Sequence, residues 1–203
     1  MPFRLLLFLT LSACAPSGGT VVEGDAQTDP TSVAGPEDAE GDTAPDTGED
    51  TGHNAVPNDG PPVVLFINEL MAANDGAVEV DGETPDWFEL YNPGAAEVSL
   101  AGFTVTDDLD EPGKVVLDET FLVPAEGFLV LFASGDSAPS GHLSFKLSSE
   151  GEALGIYFPN GSPADRVEFG AISDNLALAR TTDGGPDWAV TAVPTPGEAN
   201  VVD

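Results

Sequence analysis

An acidic stretch that also contains Glu79 separates two short apolar runs, and six carboxylate side chains in and around it are candidate metal ligands. They are Glu69, Asp75, Asp81, Glu83, Asp86 and Glu89. Carboxylate and loop carbonyl oxygens are the ligands that Ca²⁺ prefers in proteins. The stretch therefore predicts a calcium site at residues 75–86, and Ca²⁺ is the one cofactor that the sequence indicates. The alternative is a solvated acidic loop that needs no metal.

A second acidic stretch resembles an EF-hand loop in its spacing. Its acids and glycine fall at the first, third, sixth and twelfth positions of such a loop, at Asp108, Asp110, Gly113 and Glu119. The fifth position is Pro112, which has no side-chain oxygen, and no helical pattern flanks the stretch. A solvated loop therefore explains this segment better than a metal site does.

Nucleophilic catalysis has little support in the sequence. The chain has two histidines, His53 and His142, and His53 lies in the acidic N-terminal segment. Gly135-Asp136-Ser137 resembles the nucleophile turn of some esterases, but those enzymes need a base later in the chain and an α/β scaffold. The sequence predicts that these are turn residues and that the protein is not an enzyme.

Two aromatic residues of the second apolar run are candidates for partner binding. Trp87 and Tyr91 follow the acidic stretch, where an outward aromatic surface could contact a protein or a polymer. The alternative is that they cover the edge of a sandwich and are half-buried.

Residues 63–92 must position these groups, because they form the first part of the chain that can start a hydrophobic core. Apolar residues alternate along both runs, which is typical of two half-buried strands. Phe88 and Leu90 are predicted to face the interior. If the strands pair, Glu69 and Glu89 share one face, where like charges destabilise unless a cation or water separates them. Carboxylates are expected to lie outside the core.

The rest of the chain shows short strand patterns separated by turns, with no helical period, which predicts an all-β sandwich. Phe128–Phe132 is a continuous apolar run that suits a central strand, and Pro159-Asn160-Gly161 is a hairpin turn. The other predicted strands are Gly102–Thr106, Val115–Leu117, Leu143–Leu147, Ala153–Phe158, Arg166–Phe169, Leu176–Arg180 and Trp188–Thr191.

Several blocks of the sequence resemble bacterial lamin-tail domains. I-N-E-L-M-A-x-N begins at Ile67, D-W-F-E-L-Y-N-P begins at Asp86, and V-S-L-A-G-F-T-V-T-D-D begins at Val98. V-P-A-E-G-F-L-V-L-F follows from Val123, and T-P-G-E-A-N ends the resemblance near Asn200. The resemblance implies an immunoglobulin-like β-sandwich over residues 62–200 that acts as a non-catalytic binding or structural module.

Residues 1–14 resemble a bacterial lipoprotein signal. Arg4 precedes an apolar run that is too short to span a bilayer stably, and Leu11-Ser12-Ala13-Cys14 resembles a lipobox. Cys14 is the one cysteine of the chain, and the resemblance implies that its thiol is acylated. Ala15 in place of an aspartate implies an outer-membrane lipoprotein of the bacterial cell envelope.

Composition restricts the remaining organisation and the partners. Residues 15–61 are acidic and rich in Gly, Pro, Thr and Ser, which predicts a disordered linker. The chain has 5 basic and 36 acidic residues and a net charge of −31. Because nucleic-acid affinity depends on Lys and Arg, DNA and RNA are not expected partners. A lipid-anchored module that binds a protein or a polysaccharide is expected, and a calcium-dependent binding protein or hydrolase accessory is the alternative.

Overall fold

The computed structural model describes residues 3–4, 62–137 and 140–202, and the predicted signal and linker otherwise lie outside this part of the chain. The described residues form β-strands joined by turns and loops, without helix. They therefore contain no helix that could cross a membrane. The strands are β1 Phe3–Arg4, β2 Phe66–Met71, β3 Val78–Glu79, β4 Asp86–Asn92, β5 Val98–Ser99, β6 Thr104–Thr106, β7 Val115–Val116, β8 Leu122–Val123, β9 Gly127–Ala133, β10 Gly151–Tyr157, β11 Pro163–Gly170, β12 Ala177–Arg180 and β13 Trp188–Thr191.

Two larger sheets carry the architecture. The five-stranded sheet has the order β13-β12-β2-β4-β9, and the four-stranded sheet has the order β11-β10-β6-β7. Two smaller pairs join β1 to β3 and β5 to β8. All neighbours within the two larger sheets are antiparallel. The predicted all-β, immunoglobulin-like sandwich is confirmed.

The main core is built from inward-facing side chains of both larger sheets. Phe88 and Leu90 are fully buried in it, as the alternation predicts. They pack with side chains from β2, β6, β9, β10 and β11, among them Ile67, Leu70, Val105, Leu131, Leu154, Ile156 and Val167. Burial of this apolar surface is the main source of stability, because the single cysteine cannot form an internal disulfide.

The opening strands β2 and β4 pair as expected, but the expectation that they are half-buried is wrong. Nearly every residue of both strands is buried, on both faces. A second, smaller apolar cluster covers the outer face at one end, with Met71, Trp87 and Val78 among its members. The alternation of apolar residues correctly identified the inner face of β4, but in β2 it put Ile67 and Leu70 on opposite faces, whereas both lie in the main core. The smaller cluster on the outer face includes residues of the loop between β2 and β4 and of β9 and β12.

Two strand predictions need correction. Leu143–Leu147 is not a strand, although His142 and Lys146 form isolated bridges with Phe132 and Ser134. β9, expected to be central, is the last strand of its sheet. Its apolar residues are nevertheless buried at the C-terminal end, because the segment containing those two bridges lies beside it.

Candidate functional site

A β-bulge in β2 determines which side chains reach the outer face of the five-stranded sheet. Ile67 pairs with Leu90 and Glu69 pairs with Glu89, so Asn68 is the extra residue. The bulge allows Ile67 and Leu70 to face the same core although they are three positions apart. As a result, Glu69 lies directly opposite Glu89 across the two strands.

Glu69 and Glu89, called here the buried carboxyl pair, are both fully buried. The expectation that carboxylates lie outside is therefore wrong for these two residues. They are covered by residues 195–200, called here the C-terminal strap. Thr195 donates from its N–H at 3.0 Å and its Oγ1 at 2.9 Å to Glu69 Oε2, and the Gly197 N–H donates to Glu89 Oε2 at 2.6 Å. The strap supplies partners for carboxyl oxygens that would otherwise be buried without any.

Asn68 and Asn200 connect the pair to the loop that precedes β13. Asn68 Nδ2 donates to Glu89 Oε1 at 3.1 Å and to Asp183 Oδ1 at 3.0 Å. The Asn200 N–H donates to the same Asp183 oxygen at 3.0 Å, while its side chain donates to the Asn68 carbonyl at 3.0 Å. Strand, loop and strap therefore form one hydrogen-bonded network.

Burial dominates the acid–base behaviour of the pair. It raises the pKa of Glu69 to about 7, although the hydrogen bonds from Thr195 act in the opposite direction. It raises the pKa of Glu89 to about 8, against the hydrogen bonds from Gly197 and Asn68. The negative charge of Asp183 adds to both increases. At neutral pH the pair therefore retains at least part of its protons, since two ionised carboxylates cannot share a dry site cheaply.

The six predicted calcium ligands do not come together at one point. Glu69 and Glu89 lie beneath the C-terminal strap, whereas Asp75, Asp81 and Glu83 are exposed. Asp86, the sixth, accepts a hydrogen bond from the Asn74 N–H at 3.1 Å. Among the described residues, no group of three or more Asp, Glu, His or Cys side chains is placed to hold a metal ion. Calcium binding at this loop stays a prediction.

Two asparagines organise the acidic loop. Asn74 Nδ2 donates to the carbonyls of Val78 and Pro85, at 2.7 and 2.8 Å, and Asn74 Oδ1 accepts from two loop N–H groups. Asn175, which lies about a hundred residues further along the chain, accepts from the N–H groups of Asp75 and Ala77. Amide side chains thus satisfy the loop backbone. The carboxylate pattern did not reveal these residues, although Asn74 ends the I-N-E-L-M-A-x-N block.

A cavity of about 410 Å³ lies beside this loop, at the end of β9. Both acidic and basic side chains line it. They include Glu83, Asp86, Ser134, Asp136, His142 and Lys146. Burial raises the pKa of Asp86, although Lys146 opposes the shift, and burial lowers the pKa of His142. Such a lining suits a small polar molecule better than an apolar one.

The cavity contains a serine–histidine contact, but its geometry does not activate the serine. Ser134 Oγ lies 3.0 Å from His142 Nδ1. The hydroxyl also donates to the Asp136 carbonyl at 2.9 Å, which uses its one proton. His142 Nδ1–H is then the donor to Ser134, so Nδ1 does not accept the serine proton in this arrangement. The contact stabilises the turn after β9, in agreement with the turn predicted at Gly135-Asp136-Ser137.

The family model of the lamin tail domain matches residues 59–171, which is more than half of the chain. The chain belongs to the lamin tail domain family. No curated protein matches the sequence. Lamin tail domains are non-enzymatic, immunoglobulin-like domains, which suggests a binding or structural role. In this lamin tail domain the match ends just after β11, so β12, β13 and the C-terminal strap lie beyond it.

The two aromatic residues predicted to bind a partner occupy different environments in this lamin tail domain. Trp87 is fully buried against Met71 and Phe132, so the expectation that it lies on an outward surface is wrong. It points to the outer face of its sheet, but the smaller apolar cluster covers that face. Tyr91 is half-buried and stacks on Phe128, with ring centroids 4.9 Å apart. Tyr91 alone retains some solvent contact.

Proposed function

We propose that this protein is a lipoprotein of the bacterial cell envelope, anchored in the outer membrane through Cys14. It presents the lamin tail domain as a non-catalytic module that binds a protein or a polysaccharide. Family membership is the observation that carries the binding role. The lipobox-like sequence ending at Cys14 supports the anchor, and the acidic, Gly- and Pro-rich residues 15–61 would hold the domain clear of the membrane.

The charge distribution supports a partner other than nucleic acid. Among the described side chains, Lys114 pairs with Asp107 and Arg180 pairs with Asp165. The charge of Lys146 partly opposes the rise in the pKa of Asp86, and Arg166 is exposed on β11 next to Asp165. The described part of the chain therefore shows no basic surface on which phosphates could displace counterions.

Fractionation of cells tests the anchor. The Cys14→Ser variant should leave the membrane fraction, because serine has no thiol to carry the lipid, whereas wild type should sediment with membranes. Ser12→Ala is the matched control, since it keeps a small residue in the lipobox and should remain anchored. Membrane association of Cys14→Ser equal to that of wild type would reject the anchor.

Site-specific photo-crosslinking in cells tests the binding role. A crosslinker at Thr84, in an exposed loop beside the cavity, would report a partner held by the loops at one end of the sandwich. A crosslinker at Val190, which is 55% exposed on the last strand β13, would report a partner at the sheet edge. Specific adducts at either position support a binding module. No adduct at either position would favour a purely structural role.

A further inference from the structure

The C-terminal strap is held mainly by polar contacts. Three of its donor groups, on Thr195 and Gly197, point at the buried carboxyl pair. Asn200 adds hydrogen bonds to Asn68, Asp183 and Arg180. Pro196 is the one residue of the strap that is buried, while Gly197, Glu198 and Ala199 are exposed. The strap therefore has few apolar contacts to keep it closed if its polar contacts change.

No positive charge balances the pair among the described groups that face it. Asp183, from the loop before β13, is the further charge that acts on both carboxyls, and it is negative. Glu198 on the strap is exposed. Arg180 on the neighbouring β12 has its guanidinium engaged with the carbonyls of Ile67 and Gly185 and with the carboxylate of Asp165.

Glu69 and Glu89 lie opposite each other, so they can remain buried together only while at least one of them is protonated. If both ionise, the closed site contains two negative charges in a dry environment and a third beside them. Opening the strap would give water access to both carboxylates. It would leave the main core intact, because Ile67, Phe88 and Leu90 lie on the opposite face of the same strands.

We propose that the C-terminal strap is a proton-dependent cover, which is closed while the buried carboxyl pair retains a proton and opens when both carboxyls are ionised. Because burial raises both pKa values, the closed form is favoured at low pH and is lost as the pH rises above neutral. With the domain outside the membrane, as proposed above, a rise in external pH would open the strap and expose the outer face of the five-stranded sheet.

Amide hydrogen exchange on the full-length protein tests this proposal between pH 6 and pH 9. After correction for the pH dependence of intrinsic exchange, protection of residues 195–200 should fall by about tenfold per pH unit where opening releases one proton. Peptides from β4 and β9 should keep higher protection than the strap at every pH in this range, because their exchange requires the main core to open. Glu89→Gln, whose side chain is neutral at all pH values, should show strap protection that does not change with pH.

Glu198→Gln is the matched control, since it removes one negative charge from the strap without touching the pair. It should reproduce the wild-type profile. Constant strap protection in wild type would overturn the proposal, as would a Glu198→Gln profile as flat as that of Glu89→Gln. Equal protection of the strap and of β4 and β9 at each pH would also overturn it, since the whole domain would then be opening. If Glu89→Gln does not fold, Glu69→Gln provides the same comparison.

Discussion

Replacing Glu89 by glutamine should change how the stability of the domain depends on pH. The folded pKa of Glu89 is about 8 against an ordinary value of 4.5. The folded domain therefore binds a proton that the unfolded chain has released between these pH values. The contribution of Glu89 to stability is fully present below pH 4.5 and is lost as the pH rises toward about 8. Glutamine removes this titration, so the variant should lose less stability than wild type.

The expected size of the effect follows from the pKa difference and from the strap contacts. One pKa unit corresponds to about 1.4 kcal/mol, so ionising Glu89 in the closed domain costs roughly 5 kcal/mol. If the strap opens first, ionising Glu89 costs only the strap's three hydrogen bonds to the pair. At about 1 kcal/mol for each bond, that cost is roughly 3 kcal/mol. Between pH 5 and pH 8, wild type should lose roughly 2–3.5 kcal/mol more free energy of unfolding than Glu89→Gln, the lower figure applying if the strap opens first.

Urea denaturation at pH 5, 6, 7 and 8, followed by tryptophan fluorescence, measures this difference. Other carboxylates titrate in both proteins. The informative quantity is therefore the free energy of unfolding of wild type minus that of Glu89→Gln at each pH. Glu198→Gln supplies the control, because it lowers the net negative charge by the same amount from an exposed position. Parallel stability curves for wild type and Glu89→Gln would refute the reasoning, and so would an equal effect of Glu198→Gln.

Three further predictions concern the core, the ion pair and the acidic loop. Phe88→Ala should lower the free energy of unfolding by about 3–5 kcal/mol, measured by urea denaturation, because Phe88 is fully buried in the main core; a loss below about 1 kcal/mol would contradict that placement. Arg180→Lys should lower the thermal midpoint, because the guanidinium bonds two carbonyls and Asp165 and lies 4.5 Å from the Trp188 ring centroid, a geometry that an ammonium cannot reproduce. If the loop at residues 75–86 binds calcium as predicted, millimolar Ca²⁺ should raise the thermal midpoint, and the rise should disappear in Asp81→Ala; an unchanged midpoint would favour a solvated acidic loop.

Local patterns in the sequence were sufficient for most strands of the fold. Trp188–Thr191 was predicted with the bounds that the structure shows, and the Pro159-Asn160-Gly161 turn joins β10 to β11 as expected. These elements depend on neighbours within a few residues, through alternation and turn chemistry. The strand predicted at Leu143–Leu147 is absent, because the apolar residues of this segment reach the core from a loop that makes only isolated bridges.

The candidate site could be predicted only in part. The pairing of β2 with β4 indicated that Glu69 and Glu89 would share a face, and the structure places them opposite each other. The bulge at Asn68 left no signal in the alternation of apolar residues. Trp87 was considered either as part of an outward surface or as half-buried at a sandwich edge, because the sequence does not show what lies above the second face of a strand.

By itself the sequence determined the fold class, the apolar face of β4 and the excess of negative charge, since these depend on residue type and on the alternation of side chains along a regular strand. Only the tertiary structure decided that two of the carboxylates are buried. The groups that cover them, on Thr195 and Gly197, lie more than a hundred positions further along the chain. A contact over that separation depends on how the sheets and the final segment fold together, and burial then determines whether a carboxyl group retains its proton.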